Sequence, residues 1–171
     1  MPRKEPLVAF NRYDLDVVLA DAEGIRAINP QRHEMEHLTA IVYENDDDRS
    51  VVGYKDVSPD EFWVRGHMPG LPLMPGVIIC EAAAQLASYY VQKNDLMGAE
   101  MMGFGGLDEV RFRDIVRPGD RLVIQCKQLK LRRGALVVCQ FQGWVGQDMV
   151  VEGKIRGIPL PASAIRQSDA P

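Results

Sequence analysis

The stretch of sequence that decides the fold is residues 67–87, which read HMPGLPLMPGVIICEAAAQLA. Its three prolines remove backbone donors and restrict the residues before them, so helix is excluded up to the last of them. The spacing therefore predicts that a helix begins near Gly76. Because the residues that follow are apolar on every side, we expect this helix to be buried at the centre of the molecule. Glu81 is the exception, and a buried carboxylate needs a partner or a chemical role.

The rest of the chain predicts mainly strands. β-Branched residues indicate strands at 39–43 and 51–57, an extended segment at 60–66, and further strands at 101–112, 121–131, 135–145 and 149–158. In the strand at 121–131 the apolar alternation changes phase, which predicts a bulge. Residues 13–22 have the apolar spacing of a short helix capped by Asp14. One long helix and about six strands predict an α+β fold, an antiparallel sheet wrapped around a buried helix.

Length and composition indicate one domain over residues 1–171, with tails at 1–13 and 159–171. The chain is 46% hydrophobic and 26% charged, which is ordinary for a globular protein. Its net charge of -4 argues against a general nucleic-acid binder. Because no apolar run is long enough for a signal peptide or a membrane span, we expect a cytoplasmic protein. The three cysteines lack metal-type spacing, which predicts reduced structural thiols.

Two motifs resemble a known family. The first consists of His67, Pro69, Gly70, Pro72, Met74, Pro75, Gly76, Val77, Glu81 and Gln85, and the second is residues 106–120, GLDEVRFRDIVRPGD. Together they resemble the hotdog-fold 3-hydroxyacyl-[acyl-carrier-protein] dehydratases of bacterial type II fatty-acid synthesis, the FabA/FabZ family. Glu rather than Asp at position 81 favours the non-isomerising, FabZ-type branch. The resemblance implies a hotdog fold and conversion of a 3-hydroxyacyl thioester into a trans-2-enoyl thioester, with no cofactor.

Dehydration of a 3-hydroxyacyl thioester explains why these residue types are needed. One group must remove the proton next to the thioester carbonyl, and another must protonate the leaving hydroxyl. With the resemblance, His67 is predicted as the general base and Glu81 as the general acid or water-orienting carboxylate, although either could share both transfers. The N–H of Gly76, at the positive end of the helix dipole, is predicted to stabilise charge on the thioester oxygen.

Three residues are predicted to support this site: Gln85, Met68 and Pro75. Gln85 lies one helical turn beyond Glu81 and is expected to orient it. Met68 replaces the usual Phe of the family beside the base. A second departure from the family is residues 28–37, INPQRHEMEH, which replace the usual Leu-Pro-His-Arg-Tyr-Pro-Phe. That segment lies near the substrate tunnel in the family, so the preferred acyl length is left open.

Two other function classes compete with this interpretation. A hotdog thioesterase, or a non-catalytic acyl-binding relative, would share the fold but form no alkene. A zinc hydrolase is suggested by His33 and His37, which match the H-E-x-x-H pattern. That pattern needs a long helix, whereas this segment follows Pro30 and leads into a β-branched run at Thr39. We therefore expect two exposed histidines on a short turn and no metal site.

The resemblance also implies partners. An acyl carrier protein is acidic, and basic residues that could steer it lie in the second motif and a later turn: Arg111, Arg113 and Arg117, with Arg132 and Arg133. Unpaired sheet edges predict a homodimer, which could assemble further into a trimer of dimers. In the family each active site takes its His from one subunit and its Glu from the other, so we expect the same of His67 and Glu81.

Overall fold

The computed structural model describes residues 4–161 and residue 163. Its helices and strands are α1 (Ala22–Arg26), β1 (Ala40–Asn45), β2 (Ser50–Asp56), α2 (Gly76–Lys93), β3 (Met101–Phe112), β4 (Arg121–Arg132), β5 (Leu136–Val145) and β6 (Asp148–Leu160). The six strands form one antiparallel sheet in the order β1-β2-β4-β5-β6-β3. The long helix α2 packs on one face of it. This is the α+β arrangement predicted from the sequence.

The central helix begins where the prolines end, as predicted. Pro75 is its N-cap, and the N–H groups of Ile78 and Ile79 donate to the Pro75 carbonyl oxygen at 2.9 and 3.1 Å. The helix is buried along most of its length, and the three cysteines are free and buried, as expected. Gly53 of β2 lets the helix approach the sheet closely, because a Cβ there would lie 3.0 Å from Leu86 Cδ1.

The opposite face of the sheet is covered by the N-terminal residues. Side chains alternate between the two faces of a strand, and Val52 and Val123 form a second core with Val8, separate from the one around α2. Two buried glutamines hold this segment: the N–H of Val8 donates to Gln125 Oε1 at 3.0 Å, and that of Leu7 donates to Gln142 Oε1 at 2.8 Å. The predicted N-terminal tail is thus packed onto the sheet from residue 4 onward. Most of the predicted C-terminal tail lies outside the described residues.

The predicted helix at residues 13–22 is wrong. The N–H groups of Leu19 and Ala20 donate instead to the Ile41 carbonyl at 2.8 and 3.3 Å, so this segment runs beside β1. Asp14 caps no helix, because its carboxylate accepts from the N–H of Asp16 two residues on. The only helix in this part of the described chain is α1, whose first turn is capped by the Asp21 carboxylate. Pairing with β1 has outweighed a weak helical preference.

The predicted extended segment at residues 60–66 is also wrong, since it forms consecutive turns. The N–H of Val64 donates to the Glu61 carbonyl at 3.0 Å, and that of His67 donates to the Trp63 carbonyl at 2.8 Å. Burial of Trp63 and an ion pair of 2.6 Å between Lys55 and Glu61 fix these turns to the core. The loop that carries His67 therefore starts from an anchored segment.

The sheet has one long edge strand close to the start of α2. Within the described chain β3 pairs only with β6, and the side chains of Phe104, Leu107 and Phe112 are exposed. The predicted bulge in β4 is present, where the register with β5 shifts between Gln128 and Lys130. Among the described residues, no helix is long and apolar enough to cross a membrane.

Candidate active site

The loop before α2 fixes the position and the tautomer of His67. Its Nδ1 lies 2.8 Å from the Leu73 carbonyl oxygen, and the N–H of Leu73 donates back to the His67 carbonyl at 2.8 Å. A carbonyl only accepts, so Nδ1 is the donor, and in the neutral imidazole Nε2 is the acceptor nitrogen. The side chain is exposed. The neutral form of His67 therefore has the acceptor Nε2 that a general base needs.

The N terminus of α2 supplies backbone donors. In the described chain the N–H of Gly76 has no hydrogen-bond partner, as is usual for the first turn of a helix. The ring of Phe112, at the end of β3, lies against this glycine, because a Cβ on Gly76 would be 2.6 Å from Phe112 Cζ. Only glycine fits there without displacing the ring. Phe112 was missed by the sequence analysis, because nothing in its chemistry marks an exposed phenylalanine as part of this site.

Glu81 is held by Gln85 one turn later, and this predicted contact is present. Gln85 Nε2 donates to Glu81 Oε1 at 2.8 Å. Gln85 itself is only 2% exposed, and its side-chain amide also forms hydrogen bonds with two backbone groups. Its Oε1 accepts from the N–H of His37 at 3.0 Å, and its Nε2 donates to the Met35 carbonyl at 2.7 Å. The amide of Gln85 is thus fully used, which fixes the orientation of Glu81. No sequence signal pointed to Met35 or His37 as the residues that grip Gln85.

Glu81 lines a cavity of about 110 Å³ between α2 and the sheet. On the helix side the cavity is lined by Ala84, Ser88 and Val91, which lie on the same face as Glu81. The sheet side is contributed by β3, β5 and β6 and includes Met102, Phe104, Val137, Cys139 and Ile155. From Glu81 to Val91 the helix rises about 15 Å. The cavity is therefore long, narrow and mostly apolar, with a carboxylate among its lining groups.

One chain does not bring His67 and Glu81 together. No hydrogen bond or ion pair joins them in the described residues, and the cavity that Glu81 lines does not include His67. Exposed apolar side chains follow His67 on the loop and at the start of α2: Met68, Leu71 and Val77, of which Val77 is 73% exposed. Of the predicted supporting residues, Met68 is exposed beside His67, and Pro75 caps α2.

The H-E-x-x-H segment does not form the helix that a zinc hydrolase requires. His33–Met35 is a single 3-10 turn, so His33 and His37 do not share a helix face. His33 is exposed as predicted, but the prediction that His37 is exposed is wrong, since it is only 1% exposed. It packs near the ring of Phe62. Burial, with a smaller contribution from Lys55, lowers the pKa of His37 to about 4.

The predicted docking arginines divide into two groups. Arg113 is paired inside the chain, because its Nε donates to the buried Glu152 carboxylate at 3.0 Å. Arg133 is bound to Asp95, beyond the C terminus of α2, and so is also paired inside the chain. Arg111 and Arg117 are exposed, and neither side chain has an ion-pair partner in the described chain. Arg111 and Arg117, together with the exposed Arg132 on the later turn, therefore remain available for an acidic partner.

Comparison with known proteins identifies the family of this chain. Residues 29–154 match the family described as FabA-like domains. The 3-hydroxyacyl-[acyl-carrier-protein] dehydratase FabZ of Pelotomaculum thermopropionicum is 36% identical over 137 residues, which cover 80% of this chain and 96% of the relative. The FabZ of Moorella thermoacetica is also 36% identical, over 79% of this chain and 93% of the relative.

Solved structures extend the likeness to the fold. The dehydratase heterocomplex ApeI:P of Xenorhabdus doucetiae matches with a TM-score of 0.68 at 16% identity, covering 85% of this chain and 97% of that chain. At that identity the match bears on the fold alone, and it agrees with the hotdog architecture predicted from the sequence. The family match spans most of the chain, and the FabZ relatives exceed 30% identity over nearly their whole length. The chain therefore belongs to the FabA-like domain family.

Proposed function

We propose that this protein is a 3-hydroxyacyl-[acyl-carrier-protein] dehydratase of the FabZ type, acting in fatty-acid biosynthesis. The observation that carries the proposal is the contact of 2.8 Å between Gln85 Nε2 and Glu81 Oε1. It orients a carboxyl group beside an apolar cavity of the kind that an acyl chain would enter. The FabZ relatives support the same activity.

In this mechanism the two side chains divide the proton transfers. His67 Nε2 takes a proton from C2 of the substrate, and the electrons of that C–H bond form the C2–C3 double bond. The C3–O bond breaks, and Glu81 gives its proton to the departing hydroxyl, which leaves as water. The N–H of Gly76 donates to the thioester oxygen while negative charge builds there. In the reverse direction water adds to the enoyl thioester, and the two residues exchange roles.

The acyl chain is assigned to the cavity that runs along α2 from Glu81. Small residues on the helix, Ala84 and Ser88, keep this cavity open, and Val91 lines it further along the helix. A volume of about 110 Å³ is smaller than the roughly 150 Å³ of an engineered cavity that accommodates benzene. Within one chain this cavity would therefore hold only a short acyl segment.

Hydration of a crotonyl thioester tests this function against the thioesterase alternative. A dehydratase run in reverse adds water across the double bond, so the absorbance of the enoyl thioester falls without release of a free thiol. A thioesterase releases the thiol and leaves the double bond in place. Both signals can be followed in one cuvette with a thiol reagent. Thiol release that matches the loss of substrate would refute the dehydratase assignment.

We also propose a homodimer in which each active site is shared between two chains. Three observations support it: no hydrogen bond or ion pair joins His67 and Glu81 in the described chain, β3 is an edge strand, and Val77 and Phe112 expose apolar surface around the N terminus of α2. Pairing two β3 edges across a two-fold axis would cover that surface. A trimer of such dimers and a cytoplasmic location stay predictions from the sequence.

For the carrier protein we propose a docking site at Arg111 and Arg117. Replacing both with Glu is expected to raise KM for carrier-bound substrate about tenfold at low salt, because repulsion replaces steering of an acidic partner. The effect should shrink as salt is added, and KM for a small crotonyl thioester should stay unchanged. Arg132→Glu is the matched control, because that exposed arginine lies on the hairpin beyond the other end of α2. Equal losses on both substrates would mean that the two arginines serve the fold.

A further inference from the structure

A second, much smaller cavity is lined by Gln85 and is separate from the cavity that Glu81 lines. It has a volume of about 10 Å³ and is enclosed by α1, the segment that follows it, and Gln85. Its polar lining residues are Asn29, Gln31, His37 and Gln85, with Arg26 and Glu36 at its outer side. Gln31 lines both cavities, so it stands between this one and the pocket of Glu81.

The lining of this cavity holds several buried polar atoms without a partner. In the described chain Asn29 Oδ1, Gln31 Oε1 and both ring nitrogens of His37 make no hydrogen bond. The amide of Asn29 cannot simply be turned round, because its Nδ2 donates to the Gln85 carbonyl at 2.9 Å. Buried polar atoms are nearly always satisfied in folded proteins. Three residues that line this cavity thus carry buried polar atoms in need of a partner, which a molecule bound there would supply.

The protonation state of His37 determines which hydrogen-bond donors and acceptors that partner must have. Burial and the positive charge of Lys55 lower the pKa of His37 to about 4, against an opposing effect of Glu61. Lys55 and Glu61 are themselves paired at 2.6 Å, and Arg26 and Glu36 form a second pair at the rim of the cavity. The imidazole is thus neutral near pH 7, with one N–H donor and one bare acceptor nitrogen. The cavity then presents at least two acceptor oxygens and a ring that can donate once.

A single water molecule can satisfy three of these four atoms. It can donate to Asn29 Oδ1 and Gln31 Oε1 and accept from the N–H of His37, which gives it three hydrogen bonds, the usual number for buried water. The space also agrees, since one water needs about 10–15 Å³. Among the described residues, no cluster of His, Cys, Asp or Glu could hold a metal ion here.

We propose that this cavity binds one structural water molecule, and that the water joins Asn29, Gln31 and His37 into a unit that positions Gln85 and, through it, Glu81. The link is the backbone of residues 35–37, because the Met35 carbonyl and the His37 N–H hold the two ends of the Gln85 amide. If this segment shifted, the amide would turn and Glu81 would lose its donor. His37 is thereby a positioning residue that never contacts the substrate. The positioning half of this proposal rests on the role proposed for Glu81, whereas water binding does not.

A crystal structure that resolves ordered solvent tests the binding site directly. It is expected to show one water oxygen within about 2.7–3.2 Å of Asn29 Oδ1, Gln31 Oε1 and one ring nitrogen of His37. A site filled by the side chains themselves, with direct bonds between His37 and the two amides, would overturn the proposal. So would a cavity without ordered density. This measurement does not depend on which residues carry out the reaction.

Kinetics of His37→Phe test the positioning role. Phe keeps the ring and the backbone N–H to Gln85 but removes both nitrogens that could hold the water. We expect kcat to fall about tenfold with KM unchanged, because a small displacement of a reacting group is costly. His33→Phe is the matched control, since that histidine is exposed on the same segment, and it should behave like the wild type.

A double-mutant cycle separates positioning from a general loss of stability. In a Gln85→Ala background His37→Phe should lower kcat by about twofold or less, because the residue through which it acts is gone. An undiminished loss in that background, or full kcat for folded His37→Phe alone, would exclude the positioning role. If His37→Phe does not fold, Gln31→Leu replaces it in the same cycle, since Gln31 is only half-buried. Loss of activity in Gln85→Ala with full activity in Glu81→Gln would instead point to failure of the proposed catalytic role.

Discussion

His67→Ala and Glu81→Gln are each expected to lower turnover by at least about a hundredfold, which is the usual contribution of a positioned acid or base. In the proposed mechanism, removing the imidazole removes the nitrogen that takes the C2 proton, and an amide at position 81 has no acidic proton to give to the leaving hydroxyl. Because the two residues act on one substrate, combining the changes should cost little more than either alone. The measurement is kcat for hydration of a crotonyl thioester.

Controls for these variants come from the same chain. His33→Ala and Glu34→Gln change an exposed histidine and an exposed carboxylate, and both should keep wild-type turnover. Folding of Glu81→Gln should be intact, because the new amide oxygen can still accept from Gln85 Nε2. Thermal melting checks this. Near wild-type hydration by Glu81→Gln would show that the assigned mechanism is wrong.

The fold could be predicted largely because its strongest signals are local. Proline excludes helix wherever it stands, so the start of α2 at Gly76 follows from the residues just before it. Period-two alternation and tight turns gave β3, β4, β5 and β6 to within a few residues. The change of phase in β4 marked a bulge for the same reason, since a bulge exchanges the faces of a strand.

The failures occurred where partners distant in sequence decide the structure. Residues 13–22 have helical spacing, yet the Ala20 N–H finds the Ile41 carbonyl, and this pairing decides the outcome. The turns at residues 60–66 depend on an ion pair between Lys55 and Glu61. His37 is buried because of what packs around it, and the polar segment that precedes it gives no sign of this. A local pattern contains none of this information.

In the candidate site, too, the local contact could be predicted and the contacts distant in sequence could not. Glu81 and Gln85 lie one turn apart on a helix, so their contact could be predicted from spacing alone. The hydrogen bonds from Gln85 to the backbone of residues 35–37 join positions 48 or more apart in the sequence. The contact of the Phe112 ring with Gly76 likewise joins the end of β3 to the start of α2. Neither follows from a motif. The proposed pairing of His67 with Glu81 would be a third such case, because no hydrogen bond joins the two within the described chain.

The second large effect is expected when two inactive variants are mixed. His67→Ala and Glu81→Ala chains, each inactive alone, should regain activity after they are unfolded and refolded together in equal amounts. If each site takes His67 from one chain and Glu81 from the other, a mixed dimer has one intact site and one site lacking both residues. Random pairing makes about half of the dimers mixed, so activity should return to roughly a quarter of the wild-type value.

The exposed apolar surface near His67 explains why we expect each active site to be built from residues of two chains. Met68, Leu71 and Val77 leave an apolar area open beside the catalytic loop, and the β3 edge beside it lacks a second neighbour in the described chain. Burying both against a second copy would bring the exposed side chain of His67 toward the partner. Mixing the two variants without unfolding is the control, because existing dimers exchange only as fast as they dissociate. If co-refolded chains stay inactive while wild-type protein refolds to full activity, both residues must act within one chain and the shared site is excluded.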